Sequence, residues 1–196
     1  MTQDKTTNIL IVGVGGQGIL LSADILALLL VGQVFDVKQA EIHGMSQRGG
    51  SVHSMVRYGT AISSPLISRG DVDYLMAYEE LEALRWAPFV KPGGTVIVNK
   101  KQIAPAPVAL GVAAYPEDPL ARLRQNFART TLVEADRLAQ EAGNVRAANL
   151  VMLGALAAGL PFSKELWRDT IAGRVPPKTL EVNQDAFELG WEVANA

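Results

Sequence analysis

No cysteine occurs among the 196 residues. A disulfide framework, a thiolate-ligated zinc site and an iron–sulfur cluster held by this chain's own cysteines are therefore excluded. Histidine is nearly as scarce, with only His43 and His53, so a histidine-rich metal centre lacks ligands too. Charge of one sign is also missing: 18 Lys and Arg stand against 20 Asp and Glu, for a formal net charge of -2. The basic residues are scattered, and no basic face for nucleic acid is expected. Long apolar runs are absent as well. The strongest, residues 25–31, is bounded by Asp24 and Gly32, far short of the roughly 20 residues a spanning helix needs. The first eight residues are polar with one lysine, which is not a secretory signal. Together these features predict a soluble, cytoplasmic protein with no nucleic-acid or membrane partner.

What is present is apolar. Hydrophobic residues make up 48% of the chain and charged residues 19%. A single domain spanning residues 1–196 is expected, large enough to bury its own core. The surplus of apolar surface points to cover by another subunit, in a homo- or hetero-oligomer.

Residues 9–23, ILIVGVGGQGILLSA, organise the rest. Four apolar residues run into a glycine cluster and then into a helix-favouring segment, which reads as strand, tight turn, helix. Gly13, Gly15 and Gly18 stand at G-x-G-x-x-G spacing, with Gly16 and Gln17 between them. Such glycines turn the backbone sharply, let its N–H groups approach a bound group and pack helix on strand. The helix N-terminus then aims free N–H groups and a partial positive charge over the loop. A phosphate-bearing ligand is one reading, and a turn that only closes strand onto helix is the other.

Along the chain, a helix is expected over residues 17–30 and a strand over 34–42. Asp36 falls about where a ribose-binding acid would follow such a loop, but it lies inside the expected strand and not clearly at its end, which favours an ordinary exposed strand residue. Residues 43–50, HGMSQRGG, are too polar and flexible for a core element and form a loop. His43, Ser46, Gln47, Arg48, Gly49 and Gly50 are candidate site residues there. Arg48 beside two glycines could present a planar donor fork and exposed N–H groups to phosphate or carboxylate, or it could sit in a surface ion pair of a hairpin docked on another subunit. Residues 51–58 alternate as a strand, with His53, Met55 and Arg57 on one face and Val52, Ser54, Val56 and Tyr58 on the other.

A buried strand over 72–78 delivers Glu79 to a helix over 79–87, and a turn at Pro92, Gly93 and Gly94 leads to a strand over 95–98 ending at Asn99. The glycine loop, Glu79 and Asn99 all follow carboxyl ends of strands, the edge along which open α/β sheets bind ligands. Residues 100–119 are proline-rich and irregular, with a short strand expected over 112–115. Helices follow over 134–141, from an Asn144 cap to about 159, over 163–172 and over 179–194. Asn149 is either a satisfied core amide or a site residue. The fold class is α/β: three layers around a mostly parallel or mixed sheet, a Rossmann-like glycine-rich first β–α turn and a helical C-terminal third.

Two blocks carry a resemblance. Gly13-Val-Gly-Gly-Gln-Gly18, then residues 41–52 (EIHGMSQRGGSV) and 56–59 (VRYG), resemble the gamma-type domain of 2-oxoacid:ferredoxin oxidoreductases. The HGMSQRGGSV block is the specific part, and it is more similar to the indolepyruvate branch of that family than to the pyruvate or 2-oxoglutarate members. Residues 64–67, 79–85, 94–99 and 149–154 match at the expected intervals, so the resemblance spans nearly the whole chain. It implies oxidative decarboxylation of an aryl 2-oxoacid with coenzyme A as co-substrate and ferredoxin as acceptor. It also implies that thiamine diphosphate, magnesium and [4Fe-4S] clusters belong to a larger partner subunit and that this chain holds no cofactor alone. The chain by itself is then expected to be inactive, with its two glycine-rich loops facing the partner's active site or coenzyme A channel. The alternatives are a free-standing nucleotide-binding enzyme using NAD(P) or ATP, and a pure assembly module.

Overall fold

The computed structural model describes residues 6–44 and 50–195. Six strands form one sheet: β1 (Thr7–Val14), β2 (Asp36–His43), β3 (Ser51–Gly59), β4 (Val72–Ala77), β5 (Val90–Asn99) and β6 (Arg129–Val133). Their order is β2-β3-β1-β4-β5-β6. β1, β4, β5 and β6 are parallel neighbours, whereas β3 is antiparallel to both β1 and β2. The sheet is thus mixed, and β3 stands between β1 and β2.

Alternation along the strands separates two cores. Ile9, Ile11, Val56, Met76 and Ile97 face α1 (Ile19–Gly32), α5 (Ala135–Glu141), α6 (Ala148–Ala157), α7 (Lys164–Ala172) and α8 (Leu180–Asn195). Leu10, Val12, Met55, Leu75 and Val98 face the opposite layer, made by α2 (Glu80–Trp86) and α4 (Pro119–Asn126). The period of two expected over residues 51–58 is realised, with Met55 in one core and Val52, Val56 and Tyr58 in the other.

Several local expectations differ from the structure. Pro92, Gly93 (φ 75) and Gly94, expected as a turn ahead of the strand, lie inside β5. The first helix begins at Ile19, not residue 17, because Gly18 adopts φ 81 as its N-cap and Gln17 belongs to the turn. Residues 112–115 form no strand: this stretch follows the short helix α3 (Ala106–Ala109) through the Gly111 turn, and Val112 is 80% exposed. The last parallel strand is β6 instead, whose sequence RTTLV carries a single strong apolar pair at its end and so lacks a clear strand signature. The helix caps follow the sequence closely. Ser163 accepts from the Leu166 N–H at the start of α7, and Asn144 accepts from the Arg146 N–H of the 3-10 turn that leads into α6.

Helices α6 and α8 cross at backbone contact. A Cβ at Gly154 would lie 2.1 Å from the Phe187 carbonyl oxygen, and one at Gly190 would lie 1.9 Å from that of Val151. The two glycines let α8 lie directly on α6, which in turn fixes where α8's first turn meets the carboxyl edge of the sheet.

Candidate functional site at the carboxyl edge of the sheet

β1 ends at Val14, and the chain turns through Gly15, Gly16 (φ 98), Gln17 and Gly18 into α1. Gln17 closes this turn with its side chain. Its Oε1 accepts the Val14 N–H at 2.7 Å and its Nε2 donates to the Tyr78 carbonyl at 3.0 Å, so the ends of β1 and β4 are tied through one amide. Gly13 is small for the same reason: a Cβ there would be 2.6 Å from Gln17 Oε1 and 2.8 Å from Tyr78 Cβ. At Gly18 a Cβ would meet the Asn149 side chain at 2.9 Å, in addition to the strain of its left-handed backbone.

The first glycine-rich loop meets Gly50, which leads into β3. β3 starts where β1 ends, with Ser51 opposite Val14, and the Gly15 N–H donates to the Gly50 carbonyl at 2.9 Å. His43 ends β2 opposite Val52, is exposed, and pairs with Glu41 at 2.6 Å. Ser46, Gln47, Arg48 and Gly49 lie outside the described residues.

Beneath the loop is a buried polar knot. The Tyr78 hydroxyl is 2.6 Å from Ser22 Oγ, and both reach the Asn149 carbonyl at 3.4 Å. Burial pushes the Tyr78 phenol far above its ordinary range, so it stays neutral. Asn99, at the end of β5, accepts the Ala135 N–H through Oδ1 and donates to Asp136 Oδ2, each at 3.0 Å. Burial would raise the Asp136 carboxyl, but hydrogen bonds from Asn99 and Lys101, with the Lys101 charge, outweigh it and hold the group below its ordinary value.

A cleft of about 550 Å³ opens over these groups. Gly16, Gln17 and Gly18 form part of its floor, with Tyr78, Asn99 and Asn149 beside them. The far wall comes from residues 144–148 ahead of α6 and residues 175–183 at the start of α8. The structure therefore gathers Gly16, Gln17, Gly18, Asn99 and Asn149 around one space. Lys101, Asp136 and Arg146 also line it and were not singled out from the sequence. Asp136 follows the end of β6, so recognising that strand would have placed it on the same edge.

Glu79 is elsewhere. Its carboxylate is 1% exposed and accepts from the Glu82 and Ile103 N–H groups and the Tyr115 hydroxyl, capping α2 and holding down the segment after β5. Asp36 lies at the opposite edge of the sheet, paired with Gly59, and accepts from Lys38 and from the Ile62 N–H at 2.7 Å. A ribose held near the glycine loop is out of its reach. The reason is topological: β3 is inserted between β1 and β2, and Asp36 begins its strand where a ribose acid would end it.

Residues 8–193 match the family model described as pyruvate ferredoxin/flavodoxin oxidoreductase. The chain belongs to the pyruvate ferredoxin/flavodoxin oxidoreductase family. It is 40% identical over 195 residues to the indolepyruvate oxidoreductase subunit IorB of Thermococcus kodakarensis, covering 97% of this chain and 96% of the relative. In structure it resembles the gamma subunit of a keto/oxoacid ferredoxin oxidoreductase from Geobacter sulfurreducens PCA, with TM-score 0.72, 27% identity and coverage of 96% and 98%. The fold also matches part of a 2-oxoglutarate:ferredoxin oxidoreductase from Magnetococcus marinus, with TM-score 0.76 at 21% identity, over 98% of this chain and 32% of that one. This family member is thus a small subunit of a multi-subunit oxidoreductase of the 2-oxoacid:ferredoxin class. Among the described residues, no group of three or more His, Asp or Glu is arranged to hold a metal ion.

Proposed function

We propose that this chain is the cofactor-free small subunit of an oxidoreductase that oxidatively decarboxylates indolepyruvate or a related aryl 2-oxoacid, with residues 1–196 acting as one gamma-type domain. The observation that carries this reading is the 40% identity to an IorB subunit along nearly the full length of both chains. The substrate loses carbon dioxide, its acyl group passes to coenzyme A and two electrons leave to ferredoxin. Thiamine diphosphate and magnesium belong to the larger subunit, as do the [4Fe-4S] clusters, for which this chain has no cysteine to offer. The complex works in the cytoplasm, and among the described residues no helix is long and apolar enough to cross a membrane.

Within that complex the chain's own contribution is positional. The Gln17 fork and the Gly15–Gly50 hydrogen bond hold both glycine-rich loops at one edge of the sheet. Arg48, Ser46 and Gln47 on the second loop are proposed to face the partner's active site or coenzyme A channel, with His43 and Gly49 shaping that loop. Asn99, Asn149 and Gly18 shape the adjoining cleft.

The free-standing dehydrogenase reading lacks a ribose acid, since Asp36 begins β2 and does not end it. Co-expression with the larger subunit tests the proposal: substrate-dependent reduction of ferredoxin should need both chains and coenzyme A. Turnover by the isolated chain would overturn it.

A further inference from the structure

Residues 103–116, IAPAPVALGVAAYP, carry no charge, and the Tyr115 hydroxyl is their only polar side-chain group. Surface loops are usually built from polar and turn-forming residues, and exposed apolar side chains normally stand singly. Here they are continuous. Leu110 is 77% exposed and Val112 80%, Ala109, Ala113 and Ala114 between and beside them are exposed too, and no side chain of the segment joins either hydrophobic core.

The segment is built to hold one shape. Pro105 and Pro107 set φ around the first turn of α3. The Pro105 carbonyl accepts the Val108 and Ala109 N–H groups, each at 2.9 Å, and the Pro107 carbonyl accepts those of Val112 at 2.8 Å and Ala113 at 3.1 Å. Gly111, at φ 71, supplies the left-handed turn between them. One buried carboxylate pins both ends: Glu79 Oε1 accepts the Ile103 N–H at 3.0 Å and the Tyr115 hydroxyl. The Tyr115 oxygen accepts the Leu81 N–H at 3.1 Å in turn. Burial and then the hydrogen bond to Glu79 hold the Tyr115 phenol far above its ordinary range, so it keeps the proton it donates. A compact loop with its ends pinned together and an apolar tip loses little conformational freedom on docking.

Its place in the fold points to the partner. The stem leaves the carboxyl end of β5 through Lys101, which lines the cleft, and is tied to α2 by the Glu80 N–H donating to the Lys101 carbonyl and by Gln102 donating to the Glu80 carboxylate. The surface assigned above to the larger subunit therefore continues onto this loop. In the Magnetococcus marinus structure the same fold is part of a longer chain, whereas a separate small subunit must be held by its surface alone. The flanking residues do not suit an anionic bilayer: Lys100 and Lys101 are paired with Glu134 and Asp136 on one side, and Glu117 and Asp118 stand on the other.

Resting on the subunit reading, we propose that the loop over residues 103–116 is an anchor that docks into an apolar groove of the larger subunit, with Leu110 and Val112 as the side chains buried there. A few apolar side chains seated in a pocket dominate contacts of this kind.

Anisotropy of the full chain, labelled at its N-terminus and titrated with the purified larger subunit under anaerobic conditions, tests it. The double variant Leu110→Ser, Val112→Ser should bind at least about tenfold more weakly than the parent, with an unchanged melting temperature because neither side chain is in a core. Leu28→Ser, on an exposed apolar residue of α1, should bind as the parent does. Equal binding by the double variant and the parent overturns the proposal, as does an equal loss in Leu28→Ser. Sedimentation of the chain alone, and its binding to phosphatidylcholine–phosphatidylglycerol vesicles, identify other occupants: self-association or vesicle binding that the double variant abolishes, with binding to the larger subunit unchanged, also overturns it. Where the parent itself does not bind the larger subunit, the subunit reading falls and the anchor with it; where the parent and the double variant bind alike, the anchor alone falls.

Discussion

At the scale of single residues, Gln17 bears the most local consequence. Its amide satisfies the Val14 N–H and bridges to the Tyr78 carbonyl, so Gln17→Ala leaves a backbone donor orphaned at the end of β1. A loss of about 1–3 kcal/mol in unfolding free energy is expected, read by urea denaturation at unchanged m-value. Val34 is the converse case. It is a β-branched residue at φ 65, 93% exposed, in the turn after α1, where the left-handed backbone costs about 1–2 kcal/mol and no packing offsets it. Val34→Asn should raise the unfolding free energy by about 1 kcal/mol in the same assay.

His53 gives the fold a pH dependence. It is nearly buried and stacks on Trp86 with ring centroids 4.1 Å apart; burial first, then the electrostatic influence of His43, lowers its pKa below 6.5. The unfolded chain therefore binds a proton that the folded chain refuses. The stabilisation is complete above about pH 6.5 and is lost as pH falls through the lower folded value. His53→Phe should flatten stability against pH over that window. Glu82, whose carboxyl is raised by burial against the opposing influence of Ser51 and Arg85, acts with the opposite sign at lower pH: its contribution is lost as pH rises through its folded value.

At the scale of elements, the strongest constraint is the α6–α8 crossing. The Cβ positions of Gly154 and Gly190 would lie about 2 Å from carbonyl oxygens of the facing helix, distances no side-chain adjustment relieves. Gly190→Ala must push α8 away, at a cost of about 1–3 kcal/mol or more. A thermal melt should show the loss as a lower melting temperature.

Element identity was largely legible because it rests on local chemistry. The glycine turn, the alternation of residues 51–58 and the Asn144 cap each act within a few residues. What was not legible depends on non-local pairing. The strand order that inserts β3 between β1 and β2 is encoded by no residue in that segment. β6 is recruited by β5 from a sequence too polar to announce a strand. The same limit governs the site. Gly16, Gln17, Gly18, Asn99 and Asn149 were legible because glycine, amide and strand-end position are visible in one dimension. Glu79 shares that position but turns under α2, and Arg146 looked like any surface arginine until α6 brought it to the cleft.

At the scale of the whole molecule, β1, β4, β5 and β6 deliver their carboxyl ends to one edge, and that edge carries the Gly13–Gly18 loop and the cleft. Apolar side chains remain exposed outside it, among them Leu28, Val31, Leu110 and Val112, consistent with a chain that belongs to a larger assembly. The most direct test of the account is anaerobic purification of the tagged chain co-expressed with its larger subunit, followed by indolepyruvate-dependent ferredoxin reduction in the presence of coenzyme A. The account predicts a complex that carries iron–sulfur absorption and thiamine diphosphate and turns over, while either chain alone does not. A colourless, lone chain, or activity that persists without it, would contradict the account.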